Sequence, residues 1–509
     1  MILIYLIFFF LILYYLYSKN YTFWQSLKVP FDKPFFLFGS FYNIAARKEH
    51  VFERIRTIYN EFSTPYVGIY IFHQPILLIR SPEILKKVLV KDFDKFTNRN
   101  IATNEAADPL AFHTLFIAKD AVWRNLRAKL SPVFTSGKMK LMFPLMQECV
   151  DDLHSFLSQH AGEEIEVKMM MKKYSVDIIS TCAFGINTFC FRNDNSEILK
   201  MATKLVDFKS FVRSISIFSF FFLPRFVDIF RLTFADKSAS DYLISVFKNT
   251  LQEREKRKII RHDFIDLLNN LRKSETITDG YKFGTLWILI LTKIEHFFVD
   301  DDIKMAAQAI AFFSAGNDTT SITLALTCYE LSLNKAIQDR LRQEVTENFH
   351  ENGSFTYETI QQMKYLDMVI SETLRKYPLA PFLTREADVD YTFEETGFTL
   401  GKGVSIIVPI SGLHYDPQYY PQPDKYDPER FSDDNKKNLT PYTYLPFGEG
   451  PRNCIGQRFA LLVSKVAMAA IIKDFVFDVT DKTPVPLRFD PGSLFVQNRG
   501  GLHLKVTKV

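Results

Sequence analysis

Lysine and arginine outnumber aspartate and glutamate by only 62 to 58 in this 509-residue chain, too small an excess to argue for a nucleic-acid partner. Apolar residues make up 47% of the sequence, enough for a large buried core and unlike a disordered chain. The 5 cysteines are scattered and odd in number, with no CxxC or CxxH pair, which argues against a disulfide framework and a zinc site and for a reducing compartment.

Met1 to Ser18 carries no charge and is almost wholly Ile, Leu, Phe and Tyr. As a helix it spans about 27 Å, close to the ~30 Å of bilayer hydrocarbon. It predicts a transmembrane signal-anchor over residues 1–18. A cleaved signal peptide, the other reading, wants positive charge before the apolar run and small residues after it, and the sequence has neither. Lys19, Lys28 and Lys33 follow the run, so the positive-inside tendency leaves the body cytosolic. Val29-Pro30 and Lys33-Pro34 predict a stiff linker over 19–34, because proline fixes φ. With no internal repeat or low-complexity break, residues 35–509 read as one catalytic domain.

Within Tyr66 to Arg80, two apolar runs about His73-Gln74-Pro75 predict a β-hairpin. Ser81-Pro82-Glu83 then starts a helix, with serine capping and proline in the first turn. Trp123 and Arg127 stand at i and i+4, an indole N–H and a guanidinium on one helix face, suited to a carboxylate. Helical patterns succeed one another from about Met139 to Leu271. Among them Phe218 to Leu223 reads Phe-Ser-Phe-Phe-Phe-Leu, which predicts an exposed patch dipping into a bilayer. Phe283 to Leu291, inside an apolar stretch over 283–299, is too short to span a membrane. It reads either as a buried helix extension or as retained intron sequence.

Met305 to Glu330 predicts a long apolar helix, interrupted by Ala315-Gly316-Asn317-Asp318-Thr319-Thr320. A mid-helix glycine costs about 1 kcal/mol against alanine. It is useful where a ligand must come close to the backbone. The acid and hydroxyls beside it can distort the helix ladder and line a groove with proton donors; a tolerated polar break in a core helix is the equal alternative. Glu372 and Arg375 lie three apart on a later helix and can pair. Arg430, in Pro428-Glu429-Arg430-Phe431, would complete a charged cluster that fixes the chain leading to Cys454, unless the pair is a surface salt bridge. Arg385, after Pro378 and Pro381, is a further candidate for a carboxylate. Short strands alternate with turns from Asp388 to Arg430 and again from Leu487 to Val509. The expected fold class is therefore mainly α with a small β-rich part.

Phe447-Gly448-Glu449-Gly450-Pro451-Arg452-Asn453-Cys454-Ile455-Gly456 is the most informative run. It sets one thiol in a loop shaped by glycines, two residues after an arginine and just before a helix that begins near Gln457. The thiolate is the metal-binding form of cysteine, favoured by a nearby cation, a helix N-terminus or the metal itself. The loop suits one anionic sulfur held against something large and flat.

Taken in chain order, these motifs resemble the haem-thiolate monooxygenases, the cytochrome P-450 superfamily. Phe447, Gly450, Arg452, Cys454 and Gly456 match F-x-x-G-x-R-x-C-x-G. Ala315, Gly316, Asp318, Thr319 and Thr320 match its oxygen-activation motif, Glu372 and Arg375 its E-x-x-R, Pro428 to Phe431 its P-E-R-F, and Trp123 and Arg127 its W-x-x-x-R. The likeness covers about residue 30 to 509. It is strongest to microsomal members, in particular insect and vertebrate ones that oxidise foreign lipophilic compounds.

The resemblance implies haem b (iron protoporphyrin IX) with Cys454 as axial iron ligand. Trp123, Arg127, Arg385 and Arg452 would hold its propionates, Phe447 would shield the sulfur beside Gly456, and Ala315 and Gly316 would leave room above the ring. Thr319 and Asp318 would deliver protons. Phe112, Phe116, Phe211, Phe313, Ala315, Phe382, Leu383 and Phe495 would line an apolar substrate pocket. It further implies an endoplasmic-reticulum membrane protein in contact with lipid. Electrons would come from NADPH through a separate NADPH–cytochrome P-450 reductase, with cytochrome b5 as a second donor, docking on a basic face around Arg452 and Lys465. A haem-thiolate isomerase or dehydratase is the alternative that intact Asp318-Thr319 argues against. A non-catalytic haem- or ligand-binding protein would lack reductase-dependent turnover.

Overall fold

The computed structural model describes residues 20–102, 104–193, 195–207, 210–261, 263–278 (side chains to 273) and 302–509. The expected anchor over 1–18 and the apolar stretch over 283–299 lie outside these residues. No helix among the described residues is long and apolar enough to cross a membrane.

Seven helices position the site: α1 (Asp120–Leu130), α2 (Ser136–Gln159), α3 (Val167–Ile179), α4 (Phe211–Phe222), α5 (Asp302–Leu333), α6 (Lys364–Lys376) and α7 (Gln457–Asp474). The sequence reading placed α5 and the start of α7 closely. From Thr320 to Ser332 every residue of α5 is buried, and Ser321, Thr323 and Thr327 satisfy their hydroxyls on carbonyls of the helix itself. It runs unbroken through Gly316, so the expected distortion of its ladder does not occur. α3 packs along it. A Cβ added to Gly316 would lie 2.7 Å from Ile179 Cδ1, so a side chain at position 316 would displace the Ile179 side chain.

A four-stranded sheet holds β1 (Tyr66–Ile71), β2 (Gln74–Ile79), β3 (Leu383–Glu386) and β4 (Ser405–Val408) in the order β1-β2-β4-β3. β1 and β2 form the expected antiparallel hairpin. Pro75 is tolerated because the parallel ladder between β2 and β4 starts only at Ile76. β3 runs antiparallel to β4 and sets Arg385 opposite Ile406. The supposed linker is docked on this sheet: Gly68 N–H donates to Pro30 O at 2.8 Å, and Asp32 N–H to Gly68 O at 2.9 Å. Trp24 lies flat on Gly68, where any Cβ would fall 2.4 Å from Trp24 Cγ. A second sheet has His503–Lys508 between Glu164–Glu166 and Phe475–Val479. Of the strands expected over 487–509, His503–Lys508 forms one and a single bridge joins Phe489 to Asn498.

The aromatic run in α4 does not form the expected exposed patch. Phe220 and Phe222 are buried, and the Phe222 ring meets Phe41 at 5.5 Å and Phe382 at 5.6 Å. A helix turns consecutive residues to different faces, so the run divides, and its larger part packs inward. The apolar surface lies instead at Phe211, Val212 and Ile215, and at Phe226, Ile229 and Phe230 of the next helix, with Ile229 73% exposed.

Candidate cofactor site

Gly448 and Gly450 shape the cysteine loop with φ of +70° and +76°. At Gly450 a Cβ would fall 1.9 Å from Leu89 O, which excludes any other residue there. Cys454 N–H donates to Phe447 O at 2.8 Å and closes the loop. Gly456 caps α7. Of the five cysteines only Cys454 has an exposed side chain. Its sulfur opens into a cavity while protein encloses the loop behind it. Burial pushes the thiol up, and the Gly456 N–H and the charges of Arg127 and Arg99 pull against that shift without reversing it. Protein alone therefore does not make this thiol a thiolate; a metal that displaces the proton would.

Guanidinium groups crowd one side of the loop. Arg127 grips Asn453 twice, Nη1 to the carbonyl at 2.8 Å and Nη2 to Oδ1 at 2.6 Å. Arg452 stacks 4.4 Å over the Trp123 ring and donates Nη2–H to Ala118 O at 2.6 Å. Arg385 donates to Thr384 O at 2.8 Å. Arg99, which no motif marked, reaches Phe116 O at 2.9 Å and Arg452 O at 3.2 Å. Burial, then mutual repulsion, lowers Arg452 to about 8 and Arg385 to about 9. Arg385 Nε and Arg452 Nε and Nη1 are buried with no hydrogen-bond partner among the described residues. Buried donors of this kind are costly and nearly always satisfied. Clustered cations with orphaned N–H groups beside a lone accessible cysteine fit a bound dianion that also carries a metal, as the two carboxylates and iron of haem would be.

The cavity at Cys454, about 110 Å³, is walled by one face of α5: Phe312, Ala315, Gly316 and Thr319. These recur at helical spacing. Phe313, expected to line the substrate pocket, points elsewhere: it is fully buried and packs on Phe184 at 5.4 Å. Its neighbour Phe312 lines the cavity at Cys454. Gly316 does touch the cavity, but its missing side chain makes room for Ile179, and Ala315 is the residue left exposed toward the sulfur's side. Thr319 Oγ1 donates to Ala315 O at 2.5 Å. Asp318 is ion-paired with Lys172 of α3, a buried lysine that sequence reasoning missed.

The E-x-x-R pair is buried, not superficial. Arg375 Nε and Nη2 meet the two Glu372 oxygens at 2.7 and 2.9 Å, with neither side chain exposed. Arg430 Nε lies 3.4 Å from Glu372 Oε1. Arg375 Nη1 also donates to His414 O at 2.8 Å.

The remaining candidates are dispersed. Phe382 is buried on Phe222. Leu383 approaches Gly448, and Phe495 packs against the sheet core. Phe112, Phe116 and Phe211 are exposed, with Arg99 over Phe116 at 4.4 Å and Arg47 over Phe211 at 5.1 Å. None of these six lines the cavity at Cys454. Arg452 and Lys465, expected on a basic docking face, are both buried, with Lys465 paired with Asp367 at 2.7 Å, so neither side chain is on the surface.

Comparison with known proteins gives a concordant result. The family model described as Cytochrome P450 matches residues 29–506. Cytochrome P450 6k1 of Blattella germanica is 39% identical over 497 residues, covering 97% of this chain and 94% of the relative. Cytochrome P450 9e2 of the same organism is 36% identical over 514 residues, covering 97% and 95%.

Proposed function

This chain belongs to the cytochrome P450 family and is a P450 monooxygenase, and from that premise we propose that it oxidises lipophilic small molecules at a membrane's cytosolic face with electrons passed from NADPH by a separate flavoprotein. Haem bound at Cys454 supplies activation of dioxygen and transfer of one oxygen atom. The observation that carries this assignment is the pairing of one accessible cysteine with the orphaned N–H groups of Arg385 and Arg452.

Each group then has a task this chain can perform. Cys454 ligates the metal from a loop that Gly450 and Arg127 hold rigid. Arg385 and Arg452, with Arg127, Arg99 and the Trp123 indole, would bind the haem carboxylates. Phe447 packs near the sulfur and keeps water off it. Ala315 presents a small side chain where substrate and oxygen must fit. Thr319 and Asp318 hold and move protons. In the structure the Thr319 hydroxyl donates to Ala315 O of its own helix, which leaves its oxygen able to accept, and the Asp318 carboxylate is held by Lys172.

The apolar first eighteen residues, the positive residues after them and the exposed side chains from Phe211 to Phe230 support a membrane-bound enzyme fed from the lipid phase. The chain has no flavin or nicotinamide fingerprint, which supports a separate NADPH–cytochrome P-450 reductase, with cytochrome b5 as a second donor.

Cys454→Ala tests the assignment. In haem-reconstituted protein it is expected to abolish the carbon-monoxide difference band characteristic of thiolate ligation; an unchanged band would overturn it. Screening lipophilic compounds for spin-state shifts in the wild type then identifies the substrate class.

A further inference from the structure

His414 lies between the buried Glu372–Arg375 pair and the cysteine loop, and no task above uses it. Its ring is fully buried. Nδ1 is 2.9 Å from Arg375 O. A carbonyl oxygen only accepts, so Nδ1 carries the proton. Nε2 is 2.9 Å from the Leu445 amide. An amide N–H only donates, so Nε2 is bare. Together these bonds admit one form of the ring, the neutral Nδ1–H tautomer.

The ring joins helix α6 to the chain that enters the cysteine loop. On one side Arg375 returns a bond to the His414 carbonyl at 2.8 Å, so helix α6 and His414 hold each other reciprocally. On the other side Leu445 leads into the loop: Gly448 N–H donates to Leu445 O at 3.0 Å, and Cys454 N–H to Phe447 O at 2.8 Å. Tyr444 stacks on the imidazole at 5.5 Å with 21° between the planes, and its hydroxyl bonds Ser371 O at 3.0 Å. The Glu372 carboxylate thus connects through Arg375, His414 and Leu445 to the backbone of the cysteine loop.

We propose that His414 is a positioning residue for the axial ligand: Nε2 fixes Leu445 and, through it, the loop that aims Cys454. The inference rests on the haem reading but is separable from it, because its first readout needs no cofactor.

Three variants dissect the role. His414→Phe keeps the stack and removes both bonds. His414→Asn keeps a donor toward Arg375 and cannot reach Leu445. His414→Gln offers both a donor and an acceptor. In His414→Phe and His414→Asn the Leu445 amide is expected to exchange with solvent about tenfold or more faster than in wild type. The carbon-monoxide band of the holoenzyme should also convert from the thiolate type at urea concentrations where helical circular dichroism is still native. His414→Gln should restore both in part. Should His414→Phe not fold, His414→Asn carries the test. Unchanged Leu445 exchange, or loss of the band only in step with global unfolding, would reduce His414 to an ordinary core histidine and sink the proposal. A wild-type holoenzyme without a thiolate band would instead defeat the haem reading and leave the exchange result standing.

Discussion

Lys172 and Asp318 form an ion pair across the contact between α3 and α5, and beside it Ser175 Oγ donates to Asn317 Oδ1 at 2.8 Å. The Asn317 amide nitrogen is buried without a partner among the described residues. The buried Lys172 ammonium thereby fixes where the Asp318 carboxylate sits. Lys172→Met is expected to retain haem and the thiolate band, and to lower product formed per NADPH oxidised by about tenfold or more, with peroxide rising in compensation. Equal coupling in mutant and wild type would remove Lys172 from proton supply. Thr319→Ala should behave alike in the same assay.

Arg452 gives an unusual expectation for the haem-free protein. Its guanidinium is buried with two nitrogens that have no partner among the described residues and is repelled by Arg99 and Arg385. Arg452→Met should therefore leave the apoprotein as stable as wild type, or more stable by about 1–3 kcal/mol, while weakening haem binding at least tenfold. Urea denaturation of the apoprotein and haem titration measure the two halves separately.

Glu372 should respond in the opposite way. Its loss strands Arg375 and Arg430 beside a buried site. Glu372→Ala is expected to cost about 3–5 kcal/mol and to yield little folded protein, read as soluble recovery and thermal midpoint. A midpoint within a few degrees of wild type would place the pair among dispensable salt bridges.

Acid should destabilise the fold through two histidines. Burial lowers His414 to about 3 and His50 to about 4. His50 accepts from Phe52 N–H at 3.0 Å and holds Phe495 O at 3.2 Å. In the unfolded chain each ring takes a proton near pH 6.5, whereas the folded rings stay neutral. As pH falls below about 6.5 the unfolded state thus binds more protons. The stability these rings lend is complete above that value and drains away toward pH 4 and 3, at up to about 1.4 kcal/mol per pH unit for each. Urea midpoints taken from pH 7 to pH 4 should fall less steeply in His414→Gln; parallel slopes would contradict the assignment.

Exposure separates two sets of aromatic and aliphatic residues around α4. Ile229→Ser with Phe230→Ser should leave the thermal midpoint nearly unchanged and reduce association with liposomes. Phe222→Ser, a fully packed ring, should cost about 3–5 kcal/mol. Liposome flotation unaffected by the first pair would remove that surface as a lipid contact.

Sequence alone determined what depends on neighbours along the chain. The cysteine loop was legible because three glycines, one proline and one cysteine act within ten residues, where local backbone geometry suffices. The Glu372–Arg375 pairing followed from helix periodicity, and the hairpin before Ser81 from two apolar runs about a turn. Only the tertiary structure decided which distant residues converge. Arg99 and Lys172 carry no local signature and His414's phrase does not disclose its contacts, since each gains its part from a partner far off in sequence: Arg452, Asp318 and Leu445. Helix phase was equally hidden. Whether Phe312 or Phe313 faces the cavity, and whether Gly316 serves a ligand or Ile179, is set by how α5 rolls against α3, a balance of side-chain volumes across two helices that neither helix encodes by itself.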